Sequence, residues 1–339
     1  ISVTVVNLVP SRHARWFNGS KWRFLRALLT LKVFVQLLLR IWQPPTTVYF
    51  GISGGGGLLF DVILAVAVRF IRVSTVVHHH SFSYVSANST LFRWFCSLLR
   101  SVPVTHVVLC SEMGEQLCAR YSDLISPTQV HVLSNAAFFE GGAANHSTAP
   151  TRTALNIGYI SNITPEKGIR DVLALFARIR NAGISIEMTV AGPCPDESIR
   201  AELEALSNGQ EPFTYLGAVY GEQKQEFFQS LDLLVFPTRY ANEAEPLVIY
   251  EAAEHGVPTI ANARGCIASM VTNCGGWAIA DESAFGKEAM AIILELQDDT
   301  IRLARCHKAL EGSDYLRGSS RGALEALLRK IGGAGGTAA

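Results

Sequence analysis

The chain has 339 residues, of which 29 are basic, 29 acidic and 49% hydrophobic, so its net charge is zero. That length excludes a single small core and suits two domains, each apolar enough to bury a sizeable interior. Seven scattered cysteines with no Cys-x-x-Cys pair exclude a regular disulfide framework and point to a reducing compartment, hence the cytoplasm. The zero net charge hides an asymmetry. Residues 1–110 hold eleven Lys/Arg and one acid, Asp61, which leaves 18 basic and 28 acidic residues for the rest. A basic first half points to an anionic partner, either a membrane surface or a phosphorylated acceptor. No nucleic acid partner is expected.

The chain begins with Ile1, and ISVTVVNLV is predicted as a strand. Residues 12–42 carry Arg12, Arg15, Lys21, Arg23, Arg26, Lys32 and Arg40 among Trp16, Trp22, Phe24, Leu28, Phe34 and Leu37–Leu39. This is a basic helical stretch with interfacial aromatics, and no run in it reaches the ~18 uninterrupted apolar residues of a membrane span. Two readings stay open: a helix lying on an anionic membrane surface, or a core helix with basic residues on its wet face. Thr46–Ile52 is predicted as a strand, followed by Ser53-Gly54-Gly55-Gly56-Gly57 and a helix over Leu58–Phe70. A glycine loop between strand and helix can cradle phosphate through its amides, but this one fits neither a Walker motif nor G-x-G-x-x-G. A tight turn is an equal reading. The strand Arg72–Val77 ends in His78-His79-His80. Neighbouring strand residues point to opposite faces, so three histidines in a row cannot ligate one ion without strain, and no metal is expected. His78 and His80 share a face by the two-residue period; packing the floor of a site is the structural alternative. A strand over Thr105–Ser111, a helix over Glu112–Tyr121 and a strand over Gln129–Leu133 follow, ending at Ser134-Asn135. Residues 138–152, rich in Gly, Ala and Ser, read as a linker.

The second half opens with a strand over Ala154–Ile160 and a helix over Pro165–Ala182, with Thr164 as N-cap and Gly183 as stop. Lys167 breaks a local rule. A cation in a helix's first turn opposes the dipole at a cost of roughly 0.3–1 kcal/mol, and such violations concentrate at functional sites. A bound diphosphate explains it. A strand over Ser185–Ala191 ends at Gly192, a residue that lets backbone approach a ligand closely. Phe213–Leu216 is the next strand and Gln223–Ser230 the next helix. The apolar run Leu231–Phe236 reads as a buried strand, followed by a polar loop with Glu243, then Pro246 as the first residue of a short helix closed by Gly256. The first amides of that helix, at Leu247 and Val248, favour an anion, with Glu243 and Glu251 framing the place. Pro258–Ala261 is a strand leading into Asn262–Ile267, and helices are predicted over Ala284–Gln297, Ile301–Leu310 and Arg321–Ile331. Alternating strands and helices in both halves argue for an α/β protein of two doubly wound, Rossmann-like parallel-sheet domains facing across a cleft.

The Glu243-x7-Glu251 spacing followed by AAEHGVPTIA, together with Pro165-Glu166-Lys167-Gly168, resembles the retaining glycosyltransferases of family 4, which have the GT-B fold. The resemblance runs over nearly the whole chain. It implies transfer of a sugar from a nucleotide-diphosphate sugar to a glycan, lipid-linked or small-molecule acceptor, with retention and without cofactor or metal. Lys167 would contact the pyrophosphate. Glu243 would hold hydroxyls of the transferred sugar, Glu251 the ribose, and Leu247 and Val248 the phosphate. Gly192 would lie by the donor. Asn162 stands where many relatives have an arginine, and Arg239 is expected to supply the missing charge. His80 would lie near the sugar and the attacking oxygen, with His78, Gly55 and Gly56 on the acceptor side. Expected domains are 1–137, lacking a first strand-loop-helix, then the linker, a donor domain over 153–318, a returning helix over 319–332 and a disordered tail over 333–339. A non-catalytic nucleotide-sugar or glycan-binding protein and a nucleotide-sugar epimerase are the rival readings.

Overall fold

Short apolar runs pair as parallel strands in two separate sheets. The structure, a computed structural model, describes residues 4–6, 19–139 and 154–333. Its described residues divide into two units: those up to Leu133 together with those from Glu325, and Ser134–Leu324.

The first unit contains α1 (Gly19–Leu39), β1 (Thr47–Ile52), α2 (Leu58–Ile71), β2 (Ser74–His79), α3 (Ser83–Ser86), α4 (Thr90–Leu99), β3 (Val104–Val108), α5 (Ser111–Arg120) and β4 (Val130–Val132). The four strands lie in sequence order, all parallel. Residues 4–6 belong to no strand and are exposed, against the expected first strand; the rest of that segment, with Arg12, Arg15 and Trp16, lies outside the described residues. β2 starts at Ser74 rather than Arg72 because Arg72 caps α2 in the left-handed region, at φ 53°, donating its N–H to Val68 O. α4 was not foreseen. It buries Phe92, Phe95, Cys96 and Leu99 along one stripe, and the Ser89 hydroxyl accepts from Phe92 N at its start.

The second unit contains β5 (Leu155–Ile160), α6 (Ile169–Asn181), β6 (Ile186–Ala191), α7 (Glu197–Ser207), β7 (Phe213–Tyr215), α8 (Glu222–Gln229), β8 (Leu233–Phe236), α9 (Leu247–Glu254), β9 (Thr259–Asn262), α10 (Ile267–Asn273), β10 (Trp277–Ile279), α11 (Phe285–Glu295) and the part of α12 (Asp299–Gly333) that precedes Glu325. Its parallel strands run β7-β6-β5-β8-β9-β10, so the order reverses between β5 and β8. Helices cover both faces, which is why LNIGYI and LLVF are buried at every position. Leu155, Ile157, Tyr159, Leu233 and Val235 enter one core with Val172 and Phe176 of α6. Ile160 and Leu234 point the other way, to Phe227, Phe228 and Ala252 of α8 and α9. Instead of two terminal helices there is one, α12. Gly312 sits inside it, where a Cβ would lie 2.0 Å from Asn273 O. The linker expected over 138–152 lies mostly outside the described residues, as do residues 334–339.

Candidate functional site

In doubly wound sheets ligands bind beyond the carboxyl ends of the strands, where the strand order reverses. Here that place is set by the loops after β5 and β8. The loop after β5 makes a 3-10 turn, Pro165–Lys167, and then Gly168 at φ 86°. Gly168 is required: a Cβ would lie 2.2 Å from Pro237 O, at the end of β8. Lys167 therefore stands ahead of α6 rather than in its first turn, which corrects the expected conflict with the dipole of that helix. The Tyr159 hydroxyl donates to Lys167 O at 3.1 Å and holds the turn from below.

From this turn the Lys167 ammonium reaches the loop after β8. It donates to Glu243 Oε2 at 2.6 Å and lies 4.8 Å from the Tyr240 ring centre. The hydroxyl of Thr238, itself fully buried, donates to the same Oε2 at 3.0 Å. Gly265, at φ 58°, lets the loop after β9 close on the backbone of Glu243 and Ala244, and Cys266 N donates to Ala244 O. Three residues beyond Glu243 the chain enters α9. Pro246, expected as the first helical residue, is the N-cap, so the helix begins one residue later than expected, with Leu247 and Val248 as its first residues. Their N–H groups have no acceptor within the helix. Glu251 lies in the same helix and pairs with Lys224 of α8 at 2.6 Å. Lys224 carried no signal in the sequence, since a lysine at the third position of an amphipathic helix looks like any solvated one.

A second buried carboxylate, Glu245, braces this loop. It accepts from Asn135 N at 2.6 Å and from the Tyr250 hydroxyl at 2.7 Å, and burial pushes its carboxyl above the usual range. The Ser134 hydroxyl contacts that of Tyr250 at 2.8 Å. Ser134 and Asn135 are thus fixed to the Glu243 loop.

Residues 154–295 match the sequence model of the family described as Glycosyl transferases group 1. Over these residues the chain is similar to that family. It is similar to the capsular polysaccharide biosynthesis glycosyltransferase CapM of Staphylococcus aureus, 28% identical over 147 residues, which are 43% of this chain and 38% of the relative. The chain spans about half the length of the curated relatives it matches, or less. Among solved structures, sucrose-phosphate synthase from Thermosynechococcus elongatus superposes with a TM-score of 0.69 at 17% identity, over 94% of this chain and 81% of that one. HepE of Anabaena in complex with UDP-glucose gives 0.63 at 16%, over 88% and 82%. The fold is GT-B.

Within the matched residues, two expectations change. Arg239 does not join Lys167. Its guanidinium turns to Asp171 at 2.8 Å and to Glu282 O at 3.3 Å, because its own backbone N–H is drawn to Glu166 O and aims the side chain outward. Gly192, at φ 124°, does allow a close approach, but to Ser161 O, which a Cβ would meet at 1.8 Å; its role is to join the loops after β5 and β6. Asn162 is exposed in the loop after β5.

Outside the matched residues, the three histidines diverge as strand geometry requires. His78 and His80 stack with ring centres 4.0 Å apart. His78 is buried against the Tyr49 hydroxyl through Nδ1, its Nε2 is buried without a hydrogen-bond partner among the described residues, and burial, reinforced by His80, lowers its pKa to about 3. His79 points into the core, between the Tyr84 hydroxyl and His106 Nδ1, each at 3.0 Å. Burial keeps His79 well below its ordinary pKa and takes His106 down to about 4. The glycine loop is a turn packed on its neighbours. A Cβ at Gly54 would meet Ser81 Oγ at 2.5 Å, whereas Gly55 needs glycine only for its φ of 56° and Gly56 faces open space.

Proposed function

We propose that the protein is a glycosyltransferase that moves a sugar from a nucleotide-diphosphate sugar to a glycan, lipid-linked or small-molecule acceptor, with retention of anomeric configuration. The observation that carries this reading is the meeting of Lys167 and Glu243 where the strand order reverses, just ahead of the first amides of α9. Cleavage at the anomeric carbon leaves charge on the diphosphate. The stabilising groups are the Lys167 ammonium and the N–H groups of Leu247 and Val248, preset donors of the kind that lower such barriers. Protein groups, rather than a divalent metal, are assigned this work. Glu243 takes hydroxyls of the transferred sugar through Oε1, while Oε2 holds Lys167 and Thr238. Glu251, steadied by Lys224, takes the ribose hydroxyls. His80 and His78 of the first unit are assigned to the acceptor side.

Two relatives support the substrate classes: the complex of HepE with UDP-glucose, for a nucleotide sugar, and the role of CapM in capsular polysaccharide biosynthesis, for a glycan acceptor. The test is nucleotide release and product formation across a panel of nucleotide sugars and acceptors, with and without EDTA. Turnover that survives EDTA, with the product anomer matching the donor by NMR, is expected. An inverted product ends the retention reading. Binding without turnover makes the chain a non-catalytic binder, and no binding of any nucleotide diphosphate removes the site.

A further inference from the structure

α1 is apolar on two opposite faces. One rests on α2, where the Arg26 guanidinium sits 4.8 Å from the Phe60 ring centre and donates to Ser53 Oγ. The other faces water. Phe24, Leu28, Leu31, Val35 and Leu39 are between 45% and 75% exposed. At 100° per residue these five fall within an arc of about 80°, and they run about 23 Å along the helix. Ile41 and Trp42 continue the strip past its end, and Trp42 is 91% exposed. A straight apolar stripe on the wet side of a helix marks an interaction surface.

Charge identifies what covers it. Lys32 borders the stripe, Arg23 lies on the flank of the helix beyond it, and Arg40 follows the helix's last residue; all three are exposed. No carboxylate occurs in residues 1–60. The first acid, Asp61, is buried and accepts from Ser53 N, so it offsets none of these surface cations. A second copy of the chain would bring this basic rim against itself in a two-fold contact. An anionic bilayer satisfies both halves of the face at once: aliphatic side chains enter the acyl boundary, basic heads meet lipid phosphates, and an indole sits between. The helix lies flat, since α1 rests on α2 and, among the described residues, no helix is long and apolar enough to cross a membrane.

We propose that this face of α1, with Ile41 and Trp42, docks on an anionic phospholipid surface. The inference is independent of the donor chemistry. It is tested by flotation of the full chain with vesicles of phosphatidylcholine alone or mixed with phosphatidylglycerol, at low and high salt, alongside sedimentation velocity without lipid. Flotation with the mixed vesicles, lost at high salt, is expected. Lys32→Gln weakens partitioning about fivefold. Leu28→Gln with Leu31→Gln abolishes it while circular dichroism and thermal unfolding stay unchanged, because both side chains are exposed. Three outcomes overturn the proposal: no flotation at low salt, flotation that the Leu28/Leu31 variant does not reduce, or equal binding to neutral vesicles. Self-association lost in the same variant, without lipid binding, assigns the face to a second copy instead and also overturns it.

Discussion

The two units bury polar groups by different means. In the first, β2 and β3 bury His79 and His106 as uncharged rings that bond to each other and to Tyr84. In the second, the loops after β5 and β8 bring a carboxylate to an ammonium and a hydroxyl, Glu243 to Lys167 and Thr238. Neutral rings make a scaffold that protons can break. Opposite charges make partners that an incoming anion and a set of hydroxyls can exchange. The same sheet architecture is therefore sensitive to pH on one side and prepared for a charged ligand on the other.

The largest effect that sharpens this contrast belongs to Lys167. Lys167→Ala should raise the transfer barrier by roughly 2.7–4 kcal/mol, by analogy with loss of one preset donor to a developing anion; single-turnover rates would show it, and near-normal turnover would remove its role at the diphosphate. Next comes His106. Its pKa is about 4 in the fold against 6.5 for the free group, so between those values the unfolded chain binds more protons and stability falls as pH drops. Over that window the loss should approach roughly 3 kcal/mol. Urea unfolding at several pH values would measure it, and His106→Gln should flatten that part of the profile. Gly168→Ala should cost about 2 kcal/mol, since it places a Cβ against Pro237 O at a left-handed position. Donor affinity should fall with it because the Lys167 turn shifts; unchanged stability in thermal melts would show that the turn adapts freely. The smallest effect should come from Arg239→Ala. A half-exposed pair with Asp171 is worth about 0–1 kcal/mol, and donor binding by calorimetry should hardly change. A large loss there would restore the charge role that the sequence led one to expect.

The sheets were legible because buried parallel strands leave continuous apolar runs such as LNIGYI and LLVF, and Pro and Gly mark what lies between. The Lys167 and Glu243 placement was legible from motif and spacing. Their direct contact was not, since it depends on Gly168 folding the turn onto Pro237. α7 was missed although Asp196 caps it, accepting from Ile199 N, and Ile199 and Leu203 share its buried face; two buried residues in so charged a segment are a faint stripe. α10 and β10 were missed because both are short. The glycines were hardest to read. Gly192, read as a place where backbone comes close to a ligand, comes close to Ser161 O, and Gly312, which carried no reading in the sequence, is a notch for Asn273 O. A glycine announces that something comes close, not what.

Glu245 gives the loop above β8 its character. With one oxygen on Asn135 N and the other on the Tyr250 hydroxyl, this segment is riveted at one end. Swinging it aside would strand a carboxylate in an apolar interior, so it serves as a wall and not as a door. On the proposed function, sugar choice at such a wall would be made by shape set before arrival, with little ordering left to be done when a guest settles in.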